Sequence, residues 1–248
     1  MRILLSVIIF LLLSAASQGQ QRFAFTHITT DDGIGLSSNH ITSLYQDPKG
    51  FIWIGTANGL QRFDGSKFIQ ISTTKTGSDE LLYPRISQIV PADSGKLVLG
   101  MFTLRQFGIF DPATFIYKRI ALKPAKKISA AAEYRLWTDS KGEIYLNVQN
   151  YGVLHYNKTE NAFVDDHPFP FPKGWTLNLL GAHENTVKQQ YWFACDSGLC
   201  IYDKSSRQMW YRRNNPRNLP ILKNALIQDG IGKIYIDRRQ RIWIFSYP

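Results

Sequence analysis

The chain has 248 residues, of which 44% are hydrophobic and 19% charged; this excludes a disordered polypeptide and supplies enough apolar surface for a real core. Its formal charge of +10 would suit an acidic partner, yet the basic residues are spread. Only Lys126-Lys127, Arg212-Arg213 and Arg238-Arg239 form short clusters, which reads as a basic solvated surface rather than a dedicated anion groove.

The chain opens with MRILLSVIIFLLLSAASQGQ. One basic residue, Arg2, precedes an apolar run from Ile3 to Leu13 and then small and polar residues, the layout of a secretory signal peptide over 1–19, cleaved after Ser17 or Gly19. The run falls well short of the roughly 20 residues needed to span a bilayer, and no cysteine follows it to carry a lipid. No later stretch is long and apolar enough to span, so 20–248 reads as exported, soluble and periplasmic. Export argues against a nucleic-acid partner.

From Ile41 the sequence repeats. ITSLYQDPKGFIWIGTANGLQRFDGSKF is an apolar strand, a turn at Asp47-Pro48-Lys49-Gly50, an aromatic strand, a turn at Asn58-Gly59, and a third strand ending at Phe63-Asp64. A fourth strand is expected from about Lys67 to Ser72. Later copies begin at Ile86, Tyr134, about Leu179 and near Ala225, the last ending in RIWIFSYP. Asp64, Asp111, Asn157 and Asp203 close the third strands at separations of 47, 46 and 46 residues.

Trp53, Val98, Tyr145, Trp192 and Trp243 share one register position, and Gly55 follows it in the first copy. Gly59, Gly108, Gly152 and Gly198 read as the turn glycines, with a longer second copy absorbing their uneven spacing. KKISAAAEYR, Lys126 to Arg135, is either a short helix or a loop running into a strand. The only two cysteines, Cys195 and Cys200, lie in CDSGLC; they are either a disulfide across a tight hairpin or two small buried thiols in neighbouring strands. No histidine or further cysteine stands at zinc-ligand spacing beside them.

Four short strands every 40 to 50 residues or so is the signature of a β-propeller blade. The expected fold is therefore all-β: four complete four-stranded blades plus a partial fifth, near 36–75, 80–120, 130–165, 176–212 and 222–248, an incomplete seven-bladed ring. A propeller is held together by closing its ring, often by lending an N-terminal strand, here Phe23 to Thr29, to its last blade. With that blade missing, the chain reads as a fragment of a longer protein.

Phe25-Thr26-His27-Ile28, Asp32-Gly33, Leu36-Ser37-Ser38-Asn39, Asp47-Pro48-Lys49-Gly50, Trp53-Ile54-Gly55-Thr56, Gly59-Leu60 and Phe63-Asp64-Gly65 together carry a specific pattern. It resembles the two-component regulator propeller repeats in the periplasmic sensor region of hybrid histidine kinases from Bacteroidetes-type bacteria. Val98 and Tyr145 at the Trp position, and loss of the Gly-Thr pair after the first copy, are departures. The resemblance implies a propeller ectodomain that senses oligosaccharides, works as a homodimer and is followed by a membrane helix and a kinase. No phosphoacceptor histidine in a helical context or receiver-like acidic cluster is present in this sequence, so kinase activity is not expected of this chain, nor is a cofactor or a metal.

Three functions follow. In a ligand-binding module, loop residues meet an oligosaccharide or other small ligand; the candidates are Tyr83, Arg85, Arg105, Tyr134, Arg135, Trp137 and Trp175. In a glycan-acting enzyme, the residues to consider are His155, Asp165, Asp166, His167 and His183, although adjacent carboxylates on a loop do not by themselves make the separated pair that acid-base chemistry needs. In a scaffold, the propeller rim contacts another protein. The binding module is the expectation carried forward.

Overall fold

A computed structural model describes residues 25–73 and 79–246; the expected signal peptide and the first two residues of the expected N-terminal strand lie outside them. Eighteen strands run in chain order. The first unit is β1 (Ile41–Gln46), β2 (Ile52–Thr56), β3 (Gly59–Phe63) and β4 (Phe68–Ile71), and the second is β5 (Gln88–Pro91), β6 (Leu97–Met101), β7 (Gln106–Asp111) and β8 (Ile116–Leu122). The third is β9 (Tyr134–Thr138), β10 (Ile144–Val148), β11 (Gly152–Asn157) and β12 (Ala162–Val164), and the fourth is β13 (Leu177–Asn185), β14 (Gln190–Cys195), β15 (Gly198–Asp203) and β16 (Gln208–Trp210). A hairpin of β17 (Ile231–Ile236) and β18 (Ile242–Ser246) follows.

Each unit is an antiparallel meander in which strands pair in sequence order. The first strands of successive units adjoin one another, β1 against β5, β5 against β9, β9 against β13, and β13 against β17. That arrangement, sheets radiating from a shared set of inner strands, is a β-propeller. Lys126 to Glu133 is loop with one turn, and only Tyr134 and Arg135 of that stretch are strand. Residues 25–29 form no strand.

The second strands of the second, third and fourth units are apolar on both faces because those sheets are packed on both faces. Along β6, Leu97 and Leu99 enter the core shared with the first unit, while Val98 between them enters the core shared with the third. Along β14, Tyr191 and Phe193 face the third unit, and Trp192 and Ala194 face β17. Strand periodicity of two, with hydrophobes at every position, produces this alternation directly.

In the four complete units the Trp register position points toward the following unit, with Trp53, Val98, Tyr145 and Trp192 each in the core between their own unit and the next, whereas Trp243 in the last hairpin is exposed. Trp53 is fully buried and stands edge-on to Phe110 at 5.7 Å. Where this position holds the small Val98, the interface is filled by Phe107, edge-on to Phe163 at 5.4 Å and to Tyr134 at 5.5 Å.

The turns recur because side chains cap them. The Asp47 carboxylate accepts from the backbone amides of Lys49 and Phe51 at 2.9 and 3.0 Å, and its second oxygen accepts from Trp53 Nε1 at 2.9 Å. Asp237 repeats this with Arg239, Arg241 and Trp243. At the other turn of the same end, Asp64, Asp111, Asn157 and Asp203 each accept from the amide two residues on, the side-chain turn these residue types favour. For Asp64, amide bonds from Lys67 and Ser66 lower its carboxyl to about 2.

One register expectation needs correction. Gly108 is no turn glycine: it lies inside β7, opposite Leu99, where a Cβ would run into the ring of Tyr117. The residue that occupies the place of Gly59, Gly152 and Gly198 is Gln106, opposite Met101, and the preceding left-handed residue is Arg105 at φ 50°. Measured from Gln106, the spacings are 47, 46 and 46 residues, and the second copy is in register. Gly55 has its own reason to lack a side chain, since a Cβ there would sit 3.0 Å from both Ile86 Cγ2 and Ile86 O.

Between units, polar side chains cap the free backbone edge of each inner strand. Gln88 of the second unit donates Nε2 to Leu136 O at 2.8 Å, and its Oε1 accepts from Leu136 N at 2.9 Å. Asn147 Nδ2 donates to Leu179 O at 3.2 Å, Asn178 Nδ2 donates to Ile231 O, and Thr42 Oγ1 donates to Ile86 O. Gln88→Leu keeps the volume but strips both partners from a buried backbone edge, so it is expected to lower unfolding free energy by about 1–3 kcal/mol, read from the urea midpoint. Gly108→Ala is expected to cost a similar amount, about 1–3 kcal/mol, by overpacking against Tyr117, in the same measurement.

Candidate functional site

The turns joining second to third strands and the linkers between units share one face of the propeller. There, Phe102 to Arg105 approaches the linker before β9, where the Arg105 guanidinium donates to Ser129 O at 3.1 Å and to Ala130 O. These segments enclose a recess of about 500 Å³ bordered by Arg85, Phe102, Arg105, Glu133 and Tyr134. A second recess of about 370 Å³ lies against the inner strands themselves, bordered by Arg135 and Trp137 of β9, His183 of β13, and Lys233 and Tyr235 of β17. Leu179 belongs to both walls, so the two adjoin.

Five of the seven candidate ligand residues thus border these recesses, Arg85, Arg105 and Tyr134 the outer one, Arg135 and Trp137 the inner one. Their roles differ. Arg105 is committed to linker carbonyls. Trp137 stacks on Tyr145 with centroids 4.2 Å apart and planes at 18°, and its Nε1 donates to Asn147 Oδ1 at 2.8 Å, so it is a rigid wall. Tyr134 is buried, and its hydroxyl has no hydrogen-bond partner among the described residues.

The other two candidates stand apart. Tyr83 is exposed at φ 39° and packs its backbone over the Asn58-Gly59 turn, where a Cβ on Gly59 would come within 2.9 Å of Tyr83 Cα. Trp175 sits edge-on to Tyr211 at 5.3 Å beside the core between the third and fourth units. Sequence reasoning missed Lys233 and Tyr235. The signal was present in IGKIYI, where Ile231, Ile234 and Ile236 are buried and Lys233 and Tyr235 exposed, but nothing in that strand identified the exposed side as concave.

The residues considered for acid-base chemistry are engaged elsewhere. His155 lies between two carboxylates, Nε2 2.8 Å from Glu143 and Nδ1 3.0 Å from Asp166. Asp165 accepts from Tyr151 Oη at 2.8 Å and from the Ala125 amide at 2.6 Å, fastening the end of β12 to the preceding linker. His167 is stacked on Phe169 at 5.7 Å, and burial lowers its basicity. His183 alone of the five borders one of the two recesses; its Nδ1 lies 2.9 Å from Glu184 O, and its ring is edge-on to Tyr235 at 5.6 Å.

Cys195 and Cys200 are free, buried thiols. They are not opposite each other: Cys195 pairs with Gly198 and Cys200 with Phe193, which leaves the sulfurs diagonal on one sheet face inside the core. A thiol hydrogen bond to Cys200, joined by burial, pushes the Cys195 thiol far up, so Cys195 is not a poised nucleophile. No group of three or more metal-ligating side chains occurs among the described residues, and no helix among them is long and apolar enough to cross a membrane.

The fold defines the class, a β-propeller, and one stretch of it matches a known repeat family. Residues 35–58 match the family described as "Two component regulator propeller". A segment of 64 residues, 25% of this chain, is 39% identical to histidine kinase P4 of Formosa agariphila and covers 4% of that protein. Among solved structures, the extracellular domain of a putative one component system from B. thetaiotaomicron aligns over 92% of this chain with a TM-score of 0.62 at 16% identity. That of a putative hybrid two component system from the same organism aligns over 89% with a TM-score of 0.61, also at 16% identity. At these identities the likeness is one of fold. The chain spans 31% and 29% of the lengths of those two ectodomains.

Two buried thiols make a simple check. Without reductant, the native protein is expected to react negligibly with a thiol reagent and to release two equivalents on denaturation, as counted by absorbance; a count of zero in denaturant would mean a disulfide.

Proposed function

We propose that this chain is the exported, periplasmic sensor propeller of a hybrid two-component histidine kinase, binding an oligosaccharide on its linker face and acting without catalysis of its own. In this reading a signal peptide directs export, further repeats complete a seven-bladed ring, and the rest of the kinase, as a homodimer, carries the signal across the membrane. The observation that carries it is the coincidence of two features in one short chain: two-component regulator propeller repeats at 35–58, and adjoining recesses walled by aromatic and hydrogen-bonding side chains on the inner strands and linkers. Pockets of a few hundred Å³ with a few convergent polar groups are where propellers and other folds hold small ligands. Sugars suit such walls, because aromatic faces pack against their C–H faces while guanidinium and amide groups bond their hydroxyls.

A reading as an enzyme would draw on His183, the one acid-base candidate at a recess, and its ring nitrogen is beside a backbone carbonyl rather than a second catalytic group. Titrating the purified chain with a panel of neutral and acidic oligosaccharides is expected to give saturable binding for one class, with no new reducing ends or unsaturated products. Arg85→Ala, at the wall of the outer recess, is expected to weaken that binding about tenfold, the scale of one charge-assisted hydrogen bond, with an unchanged melting curve. Turnover of any panel member, or binding that ignores Arg85, would count against this reading.

A further inference from the structure

Resting on the proposed reading as a ligand-binding propeller, the geometry points to the inner recess as a site for an anionic group, a carboxylate or sulfate on the oligosaccharide; we propose that Arg135 and Lys233 clamp it from opposite sides of the β13 strand. The two residues come from β9 and β17, which flank β13 among the inner strands, and both border the same cavity with His183 and Tyr235. No Asp or Glu borders that cavity. Elsewhere in the molecule, basic side chains beside acidic ones form ion pairs, as Lys123 does with Glu160 at 3.0 Å and Lys158 with Asp93 at 3.2 Å. Arg135 and Lys233 have neither an ion pair nor a side-chain hydrogen bond among the described residues.

Two cations converging on one concavity repel each other unless an anion sits between them, and a concave low-dielectric wall strengthens the attraction for that anion. A guanidinium binds carboxylate or sulfate oxygens in a planar fork, while the lysine ammonium acts as a point charge. The neutral part of the ligand has its own partners. Tyr235 is exposed, edge-on to His183, and borders the cavity, and Trp137 is a rigid part of the wall. Two basic residues nearly a hundred positions apart in sequence are thus brought to one cavity by the arrangement of inner strands.

The test is calorimetric titration of the purified chain with three probes: a galacturonic acid trisaccharide, a sulfated chondroitin disaccharide, and the galactose trisaccharide that matches the first without its carboxylates. Expected is binding of one or both acidic probes at least about tenfold tighter than the neutral one, falling as salt is raised. Arg135→Gln and Lys233→Gln should each lose about tenfold or more, while Arg135→Lys should retain part of the affinity. Circular dichroism melting of each variant checks the fold, and Arg135 and Lys233 are both exposed residues. Which acidic probe wins distinguishes a carboxylate from a sulfate site. The inference is overturned if the neutral trisaccharide binds as well as the acidic ones, an outcome that would leave the sensor reading standing, or if acidic binding survives Arg135→Gln with Lys233→Gln. Absence of binding by all three probes would overturn both.

Discussion

Everything in this molecule depends on the sheets of the second, third and fourth units being buried on two faces. A lone four-stranded meander would bury only one face and leave the other as an apolar surface in water; here the next unit covers it. In the second, third and fourth units the second strand carries the burden, sending alternate side chains into the core behind and the core ahead. Trp53 and its register equivalents occupy the forward side, so their size sets how closely successive sheets approach. Gly55 shows how close that is, since its missing Cβ is the space occupied by Ile86 of the next unit.

Packing of this kind satisfies hydrophobic surface but leaves backbone groups along the edges of the inner strands, where β13 and β17 share one backbone bridge, Leu180 with Lys233. Unpaired buried backbone groups are costly. Gln88, Asn147, Asn178 and Thr42 resolve this by reaching across from one unit to the backbone of the next. Two of these side chains also line the inner recess. Gln88 and Asn147 are part of its wall, so the groups that hold the ring together also shape the cavity that Arg135, His183, Lys233 and Tyr235 border.

Legibility differed by element. The aspartates that close third strands were readable because each caps a turn by bonding an amide two residues on, a local requirement that leaves the same residue type at the same spacing. Gly108 misled because glycine serves two purposes: positive φ in a turn, and room beneath a packed ring. Only the pairing of β6 with β7 separates them, and it assigns Gly108 to the second use and Arg105 with Gln106 to the first. Arg85, Tyr134 and Arg135 were recognisable as candidates from their place at the start of units; Lys233 and Tyr235 were not, because alternation reveals an exposed face without its curvature.

By itself the sequence determined the repeat, the turn chemistry and the apolar strands, and hence the propeller, since all of these are written within a window of about 50 residues as local periodicity. The tertiary structure alone decided which residues meet. Arg135, His183 and Lys233 lie in three different units, and they border one cavity because consecutive sheets turn about a common axis and present their inner strands side by side, a relation set by packing angles between sheets that no single repeat contains.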